Sequence, residues 1–354
     1  MKIETKKTLL NLAGSIIKND SAIEGAKTAP WWIAVVLFVL GNFLPIIPIM
    51  VNASKTYGAS FTANYTYGYD QALVTCGVQM KAQEYELNVS NKQLTVKKAG
   101  VELNNRWVED ADLEPIASYD TTINGVTQRS LNIFFTDRPT SGSGITVKKL
   151  VEVIESREYA SGKNTIYNSE VDGETTTYVP SYLILYKTGM YSKIYKVNTK
   201  TAATSTYSNM DWDHVNEGNL LDYVMNVDVA QNVLDQNYVA AVMANWNKVF
   251  NASYQNQKIR QFWFTSGLYY GIYLLLGCFM ALLMFLLTRG KNNPNRNLNY
   301  WITWKIDAWI IFTPAVLGMI LGFVWSAAAG LGFIVLIGLR TMWLSMRQLS
   351  PMAQ

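Results

Sequence analysis

The densest group of residues that could perform chemistry lies between Asp211 and Glu217. It contains the run Asp211-Trp212-Asp213-His214, and Glu217 follows three residues later. Loops rich in carboxylates can hold calcium, but this run lacks the Asp-x-Asx-x-Asx-Gly spacing of an EF-hand loop. Stretches rich in Asp, Asn and Gly also commonly begin helices. We therefore predict a loop that leads into a helix. The alternative is a metal site with Asp211, Asp213, His214 and Glu217 as its ligands.

Two ionisable residues, Asp307 and Arg340, lie beside long apolar segments. Ionisable groups within membrane spans often belong to transport pathways. Both residues lie towards the cytoplasmic ends of the spans predicted below, where antiparallel helices would bring them to a similar depth. Snorkelling or a mutual ion pair is therefore the preferred interpretation of these two side chains.

A basic segment between two apolar runs carries the candidate residues for docking a partner protein. They are Arg289, Lys291, Arg296, Trp301 and Trp304. The basic excess of the chain lies only next to the predicted membrane spans, so the sequence does not indicate nucleic-acid binding. The predicted partners are the lipid bilayer and other membrane proteins, such as transporter or ATPase subunits.

Motifs of common enzymes are absent from the sequence. It contains no phosphate-binding loop, no His-Glu-x-x-His, no Cys-x-x-Cys and no Gly-x-Ser-x-Gly. One histidine excludes most zinc and catalytic-triad chemistries, which usually need more imidazoles or one beside a nucleophile. The acidic residues at 109–114 could suggest the paired carboxylates of a glycosidase, but a solvated loop is preferred. We predict that the protein is not an enzyme and needs no cofactor.

The elements that must position these residues are mainly membrane-spanning helices. Of the 354 residues, 49% are hydrophobic and only 16% are charged, against about 25% charged in typical soluble domains. Charged residues are absent from three runs, at 30–52, 261–288 and 308–339. Each run is long enough for a bilayer, which takes roughly 20 apolar residues. This excludes a purely soluble enzyme, a disordered chain and a one-span anchor.

The third run is too long for one crossing. As a single helix it would measure ~48 Å, against a hydrocarbon core of ~30 Å. It fits a hairpin with spans at 304–325 and 327–346 and a turn within 326–330. The first run could instead be a secretory signal, but about 30 residues precede it and it exceeds the roughly 7–15 apolar residues of a signal core. We therefore predict four spans rather than three.

The charge distribution supports four spans. Outside the segment 52–262 there are eleven basic and four acidic residues, which gives 11 − 4 = +7. Because the whole chain carries +4, the segment 52–262 carries 4 − 7 = −3. The positive-inside rule then places both termini and the loop after the second span in the cytoplasm. With three spans, Arg347 would lie outside. The location predicted is the cell membrane, with residues 52–262 extracellular.

The predicted fold is that of a membrane protein with four transmembrane helices and an α+β extracytoplasmic domain inserted between helices 1 and 2. Alternating apolar residues predict strands at 85–89, 94–96, 131–135, 181–186 and 191–197. Helical spacing occurs at 147–154 and again at 220–249, where a stalk helix could lead into the second span. Several asparagines there are poor helix formers, so we expect at least one break.

The predicted boundaries are a cytoplasmic amphipathic segment at 1–30, helix 1 at 31–51, the outer domain at 52–262, helix 2 at 263–288, a basic loop at 289–303, helix 3 at 304–325, helix 4 at 327–346 and a tail at 347–354.

The N-terminal segment is amphipathic. Apolar side chains between Leu9 and Ile17 lie towards one side of a helix over residues 6–23, and lysines are available for anionic headgroups. This pattern favours a helix that lies in the membrane interface. The same apolar face would also fit a groove on a partner protein.

Residues 299–314, with the sequence Asn-Tyr-Trp-Ile-Thr-Trp-Lys-Ile-Asp-Ala-Trp-Ile-Ile-Phe-Thr-Pro, resemble a bacterial family of membrane proteins associated with maltodextrin utilisation. That family has a short segment bearing Tyr, Trp and Lys that leads into a span with a Thr-Pro pair. An N-terminal span and an extracytoplasmic region come before it. The outer domain of the present chain is larger than the family usually has. The resemblance implies an accessory role beside a sugar ABC transporter, and it supplies no catalytic residues.

Two functional hypotheses follow. The preferred one is a non-catalytic membrane accessory or scaffold protein whose outer domain binds a partner. The alternative comes from the topology, which looks like that of a mechanotransmission-type ABC permease that works with a separate ATPase. In that alternative, residues 290–303 would dock on the ATPase and the stalk would carry its motion to the outer domain.

Overall fold

The computed structural model describes residues 3–61, 68–104, 114–123, 126–137, 167–171, 174–178, 181–196, 203–291, 293–325, 328, 330–347 and 349. The chain divides into two compact units. The helical unit comprises Met1–Lys55 and Arg260–Gln354, and the α/β unit comprises Thr56–Ile259. The predicted helix at 147–154 lies outside the described residues, as do most of the acidic segment 109–114 and part of the turn at 326–330.

The helical unit begins with four helices. They are α1 (Ile3–Ser15), α2 (Asn19–Thr28), α3 (Trp31–Phe43) and α4 (Ile47–Ser54), and a short 3-10 turn joins the last two. The amphipathic segment is therefore two helices that pack against each other, not one. The second helix buries small residues, including Ala22 and Ala26, and it contacts a later helix of the same unit. The sequence pattern did not indicate that contact.

The described part of the α/β unit contains α-helices and two larger sheets. Its helices are α5 (Tyr69–Ala82), α6 (Leu220–Met225) and α7 (Gln236–Ser253). The strands are β1 (Tyr85–Ser90), β2 (Gln93–Lys98), β3 (Val101–Glu102), β4 (Ala117–Ile123), β5 (Val126–Thr136), β6 (Tyr167–Val171), β7 (Glu174–Tyr178), β8 (Ser181–Tyr186), β9 (Gly189–Lys196), β10 (Ala203–Asp211) and β11 (Gly218–Asn219). The sheet orders are β11-β1-β2-β3 and β10-β9-β8-β5-β4, and β6 pairs with β7. Only the β5–β8 pair is parallel among the described strands.

The predicted hairpin at 85–96 is confirmed. Leu87 pairs with Val96 and Val89 pairs with Leu94, and all four side chains are buried. Their polar neighbours alternate to the other face, as the period of a strand requires. The turn residues Asn91 and Lys92 have φ angles of 47° and 62°, the left-handed region used by two-residue hairpin turns.

The rest of the helical unit consists of α8 (Gln255–Leu287), α9 (Tyr300–Ile310), α10 (Phe312–Val324) and α11 (Gly332–Arg347). The stalk predicted over 220–262 is not one helix, because α7 ends at Ser253 and α8 begins at Gln255. The expected break is therefore present. Asn219 caps α6 and Asp235 caps α7, each by accepting a backbone N–H bond.

Among the described residues, two helical segments are long and apolar enough to cross a membrane, namely Trp31–Ser54 and Gln255–Leu287. The bent pair α9–α10 would be a third, and its two helices meet at 41°. The predicted straight span at 304–325 is thus broken near its middle. The structure has an α/β domain together with two or three such helices, an architecture compatible with a membrane protein.

Candidate functional site

The guanidinium of Arg340 joins three helices of the helical unit. Its Nη1 donates to the Ile310 carbonyl at the end of α9 at 2.8 Å. Its Nη2 donates to the Ser15 carbonyl at the end of α1, and its Nε donates to Asn19 Oδ1 at the start of α2 at 3.4 Å. The arginine lies on α11, so one side chain holds the turn between α1 and α2 against α9 and α11.

The bend between α9 and α10 explains why the Ile310 carbonyl needs an outside donor. In a continuous helix, that carbonyl would accept the backbone N–H of residue 314. Residue 314 is proline, which has no N–H to give. Arg340 supplies the missing donor. Thr313, beside the proline, donates its hydroxyl to the Ile16 carbonyl at 2.7 Å and adds a second link to the α1–α2 turn.

The carboxyl group of Asp307 is buried without a partner. Its side chain lies on α9 and has no exposed surface. Neither carboxylate oxygen forms a hydrogen bond within the part of the chain that the structure describes. Asp307 lies in electrostatic range of Cys278 on α8 and of Tyr300 on its own helix.

Asn42, on α3, is another fully buried polar side chain of the helical unit. Its Nδ2 donates to the Phe38 carbonyl at 2.8 Å, and its Oδ1 has no partner among the described residues. The Phe38 ring lies 5.0 Å from that of Trp304, which brings α3 against α9. Gly277 of α8 packs on both Phe38 and Asn42. The helices α3, α8 and α9 therefore meet at one junction.

The predicted ion pair between Asp307 and Arg340 is wrong. The arginine donors are directed at Ser15, Asn19 and Ile310, and the aspartate oxygens accept nothing from the described residues. Similar depth in antiparallel helices did not bring the two groups onto facing sides. The two charges thus have separate roles in the helical unit.

No known protein supplies a function for these groups. Comparisons with protein-family models, curated proteins and solved structures found no match. The resemblance of residues 299–314 to the family associated with maltodextrin utilisation therefore stays a prediction. The contacts of Arg340, Asp307 and Asn42 are therefore the basis for a proposed function.

The candidate docking residues divide into two kinds. Arg289 organises its own loop, because its guanidinium donates to the Arg296 carbonyl at 2.9 Å and to the Leu298 carbonyl at 2.6 Å and lies 4.0 Å from the Phe285 ring centre. Trp304 is half-buried against Phe38. The others, Lys291, Arg296 and Trp301, have exposed side chains. Arg289 is exposed as well, but its guanidinium is engaged within the loop.

Asn293 is a loop residue that the sequence patterns missed. It is buried, and its Nδ2 donates to the Leu349 carbonyl at 2.7 Å and to the Leu287 carbonyl at 3.4 Å. It therefore ties the loop after α8 to the end of the chain. Asn42 was also missed, although it is the one polar residue within an otherwise apolar run, and that isolation was a usable signal.

In the α/β unit, Asn256 forms hydrogen bonds with two of the carboxylates that were candidate metal ligands. Its Nδ2 donates to Asp211 Oδ2 at 3.0 Å and to Asp213 Oδ2 at 3.1 Å. Its Oδ1 lies 3.0 Å from His214 Nε2, a hydrogen-bonding distance. One amide in the first turn of α8 thus crosslinks the whole loop. The sequence did not indicate it, because the partners lie more than 40 positions apart.

The remaining candidate ligand is directed elsewhere. Glu217 Oε1 accepts the backbone N–H of Asn91 at 3.0 Å, and Asp213 also pairs with Lys92 Nζ at 3.5 Å. Across the described ranges, no group of three or more His, Cys, Asp or Glu side chains could hold a metal ion. The loop leads through Gly218-Asn219 into α6, which agrees with the preferred interpretation.

A small pocket lies beside this loop. Its volume is about 130 Å³, and its lining includes His214, Glu217, Tyr223 and Lys248. Pockets for small organic ligands usually measure about 300–1,000 Å³. The pocket therefore has room for a few water molecules rather than for a sugar.

Replacing Asn256 with alanine will loosen the loop at 211–217. The change removes the donor to two carboxylates and the partner of His214, for a loss of about 1 kcal/mol in local stability. Hydrogen exchange of that loop, measured by mass spectrometry, should then quicken roughly fivefold. Asn237→Ala, at an exposed position in α7, is the matched control and should leave the loop unchanged. Equal exchange in both variants would contradict the crosslink.

Cys76 lies in the core of the α/β unit and is predicted to be inert. Its side chain has no exposed surface, and burial raises the pKa of its thiol to about 12. Because only the thiolate reacts, a water-soluble maleimide should leave Cys76 unmodified between about pH 7 and about pH 9 until the unit is unfolded. Ser90→Cys, at an exposed strand position, should react at once. Rapid labelling of native Cys76 would refute the prediction.

Proposed function

We propose that the protein is a non-catalytic integral membrane scaffold or accessory protein that crosses the membrane four times. In this proposal the crossings are Trp31–Ser54, α8, the bent pair α9–α10 and α11. The termini and the loop after α8 are cytoplasmic, and the α/β unit is extracytoplasmic. The charge of +7 outside the segment 52–262 and −3 within it supports this orientation. Exposed apolar side chains such as Phe264, Leu275 and Leu286 on α8 fit contact with lipid.

The network of Arg340 is the observation that carries the proposal. In a permease, charged groups within the spans usually line the path of a substrate. Here the three donors of the arginine are bound by acceptors on three elements of the same chain. The half-buried guanidinium of Arg340 thus serves to hold helices together. Such an arrangement supports a packed structural unit more than an open translocation path.

The proposed partner is a sugar ABC transporter with its own permease subunits. This part rests on the resemblance of residues 299–314 to the family associated with maltodextrin utilisation. The α/β unit would supply the partner-binding surface outside the membrane. On the cytoplasmic side, Lys291, Arg296 and Trp301 are exposed and available for a second contact.

A cysteine-accessibility experiment tests the proposed topology. Single cysteines placed at the exposed positions Ser90 and Lys291 would be treated with a membrane-impermeant maleimide in intact cells. The proposal expects labelling at position 90 without lysis and at position 291 only after lysis. Labelling of both positions in intact cells, or protection of both, would overturn the four-span topology.

The second candidate function is a mechanotransmission-type ABC permease subunit. One observation favours it: α8 is a single helix of 33 residues, with its first turn in the α/β unit and the rest in the helical unit. Such a helix could carry motion between the units. This candidate predicts that a separate ATPase binds the loop after α8, and that Arg296→Glu with Trp301→Ala abolishes the binding.

A further inference from the structure

The junction of α3, α8 and α9 places a carboxyl group where no charge can be solvated. Asp307 is fully buried on α9, and both of its oxygens lack a hydrogen-bond donor among the described residues. About one turn before it on α9, the Trp304 ring lies 5.0 Å from the Phe38 ring of α3, and Gly277 of α8 packs on Phe38. The helices α3, α8 and α9 therefore pack together next to Asp307.

The cations near this junction are engaged elsewhere. Lys305, on the same helix, donates its Nζ to the Ala29 carbonyl at 2.9 Å. Arg340 donates to Ser15, Asn19 and Ile310, as described above. No ion pair joins either cation to Asp307 in the described ranges.

The other neighbouring groups cannot neutralise a carboxylate. The segment Trp31–Ser54, which contains α3, has no ionisable residue. From α8, the facing titratable group is the Cys278 thiol, and from α9 it is the Tyr300 hydroxyl, which already donates to the Cys278 carbonyl at 3.4 Å. Both groups are neutral or negative and never positive. Nothing described at the junction offers Asp307 a positive charge.

Burial of an isolated carboxylate in an apolar interior is very costly by Born solvation, and real groups avoid that cost by binding a proton. We propose that Asp307 is an intramembrane proton-binding site, held as a neutral carboxylic acid by the closed α3–α8–α9 junction. The ligand is a proton, and release of that proton requires the junction to open to water. This role is independent of the proposed scaffold function, since Arg340 and not Asp307 carries the helix packing.

The chemistry of carbodiimides gives a direct test. A carboxylic acid adds to a carbodiimide: its oxygen bonds to the central carbon, and its proton goes to a nitrogen. An ionised carboxylate has no proton to give. The apolar reagent dicyclohexylcarbodiimide reaches acids buried in membranes, whereas a water-soluble carbodiimide does not.

The full-length protein in native membrane vesicles would be treated at neutral pH with each reagent, and adducts would be located by peptide mass spectrometry. We expect an adduct on Asp307 with dicyclohexylcarbodiimide and none with the water-soluble reagent. Asp222, an exposed carboxylate paired with Lys81, is the internal control and should give no adduct with dicyclohexylcarbodiimide. Absence of the apolar adduct on Asp307, or protection of that residue by added sodium ions, would overturn the proposal.

A substitution separates proton binding from a structural need for a charged carboxylate. Asp307→Asn keeps the shape and neutrality of the proposed acid, so its thermal unfolding temperature in detergent should match the original protein while the adduct is lost. If Asp307 were ionised and paired with an undetected cation, Asp307→Asn would leave that cation uncompensated and lower the unfolding temperature sharply. That outcome would contradict a neutral acid.

Discussion

Arg340→Ala will destabilise the helical unit by about 3 kcal/mol, because it leaves the carbonyls of two buried residues and the half-buried side chain of Asn19 without a donor. The carbonyls of Ser15 and Ile310 and the side chain of Asn19 all lose the guanidinium. Thermal unfolding of the detergent-solubilised protein, followed by circular dichroism, measures the loss. Proteolysis should also cut the freed α1–α2 segment faster.

Arg347→Ala is the matched control for this prediction. Arg347 lies in the last turn of the same helix, is exposed, and has a ring contact with Trp343 at 5.8 Å. Its replacement should change stability little. Pro314→Ala supplies an N–H that can bond to the Ile310 carbonyl, so it should recover part of the loss in the Arg340→Ala background. Equal effects at positions 340 and 347 would contradict the assigned role.

Gly277→Val will disrupt the junction of α3 and α8. A Cβ atom at position 277 would lie 2.6 Å from Phe38 Cε2, well inside contact distance. Inserting extra atoms into a packed core costs about 1–3 kcal/mol, and here the two helices must also separate. The yield of monodisperse protein after solubilisation and its unfolding temperature should both fall.

Gly271→Val provides the control on the same helix. A Cβ at position 271 would meet no atom within 4 Å, so this change should be tolerated. Both substitutions replace a glycine of α8 with valine. They differ in the atoms that the new side chain meets. If both variants were equally stable, the close approach of α3 and α8 would be incorrect.

Local patterns predicted several strands of the α/β unit but missed α5 and β10. The hairpin at 85–96 followed from strict alternation, because Leu87 and Val89 must point to the same side. The asparagines in the stalk predicted at least one break, and Asn226 and Asn232 lie in the break between α6 and α7. Such features depend on neighbours in the sequence, which is why no tertiary knowledge was needed to find them.

The site could not be predicted in the same way, because it depends on which helix faces meet. Depth alone suggested that Asp307 pairs with Arg340, whereas the helix rotations direct the arginine at Ile310. The Thr313-Pro314 pair carried the signal that was missed. A proline inside a span leaves the carbonyl four residues earlier without its donor, and a nearby arginine is the natural replacement.

Purification of the intact complex from native membranes tests the central claim most directly. The tagged protein would be extracted in mild detergent, and its stoichiometric partners would be identified by mass spectrometry. The scaffold proposal predicts a complete transporter with its own permease subunits, retained when Arg296→Glu and Trp301→Ala are combined. A lone ATPase that binds stoichiometrically and is lost in that double variant would contradict the proposal and establish a permease.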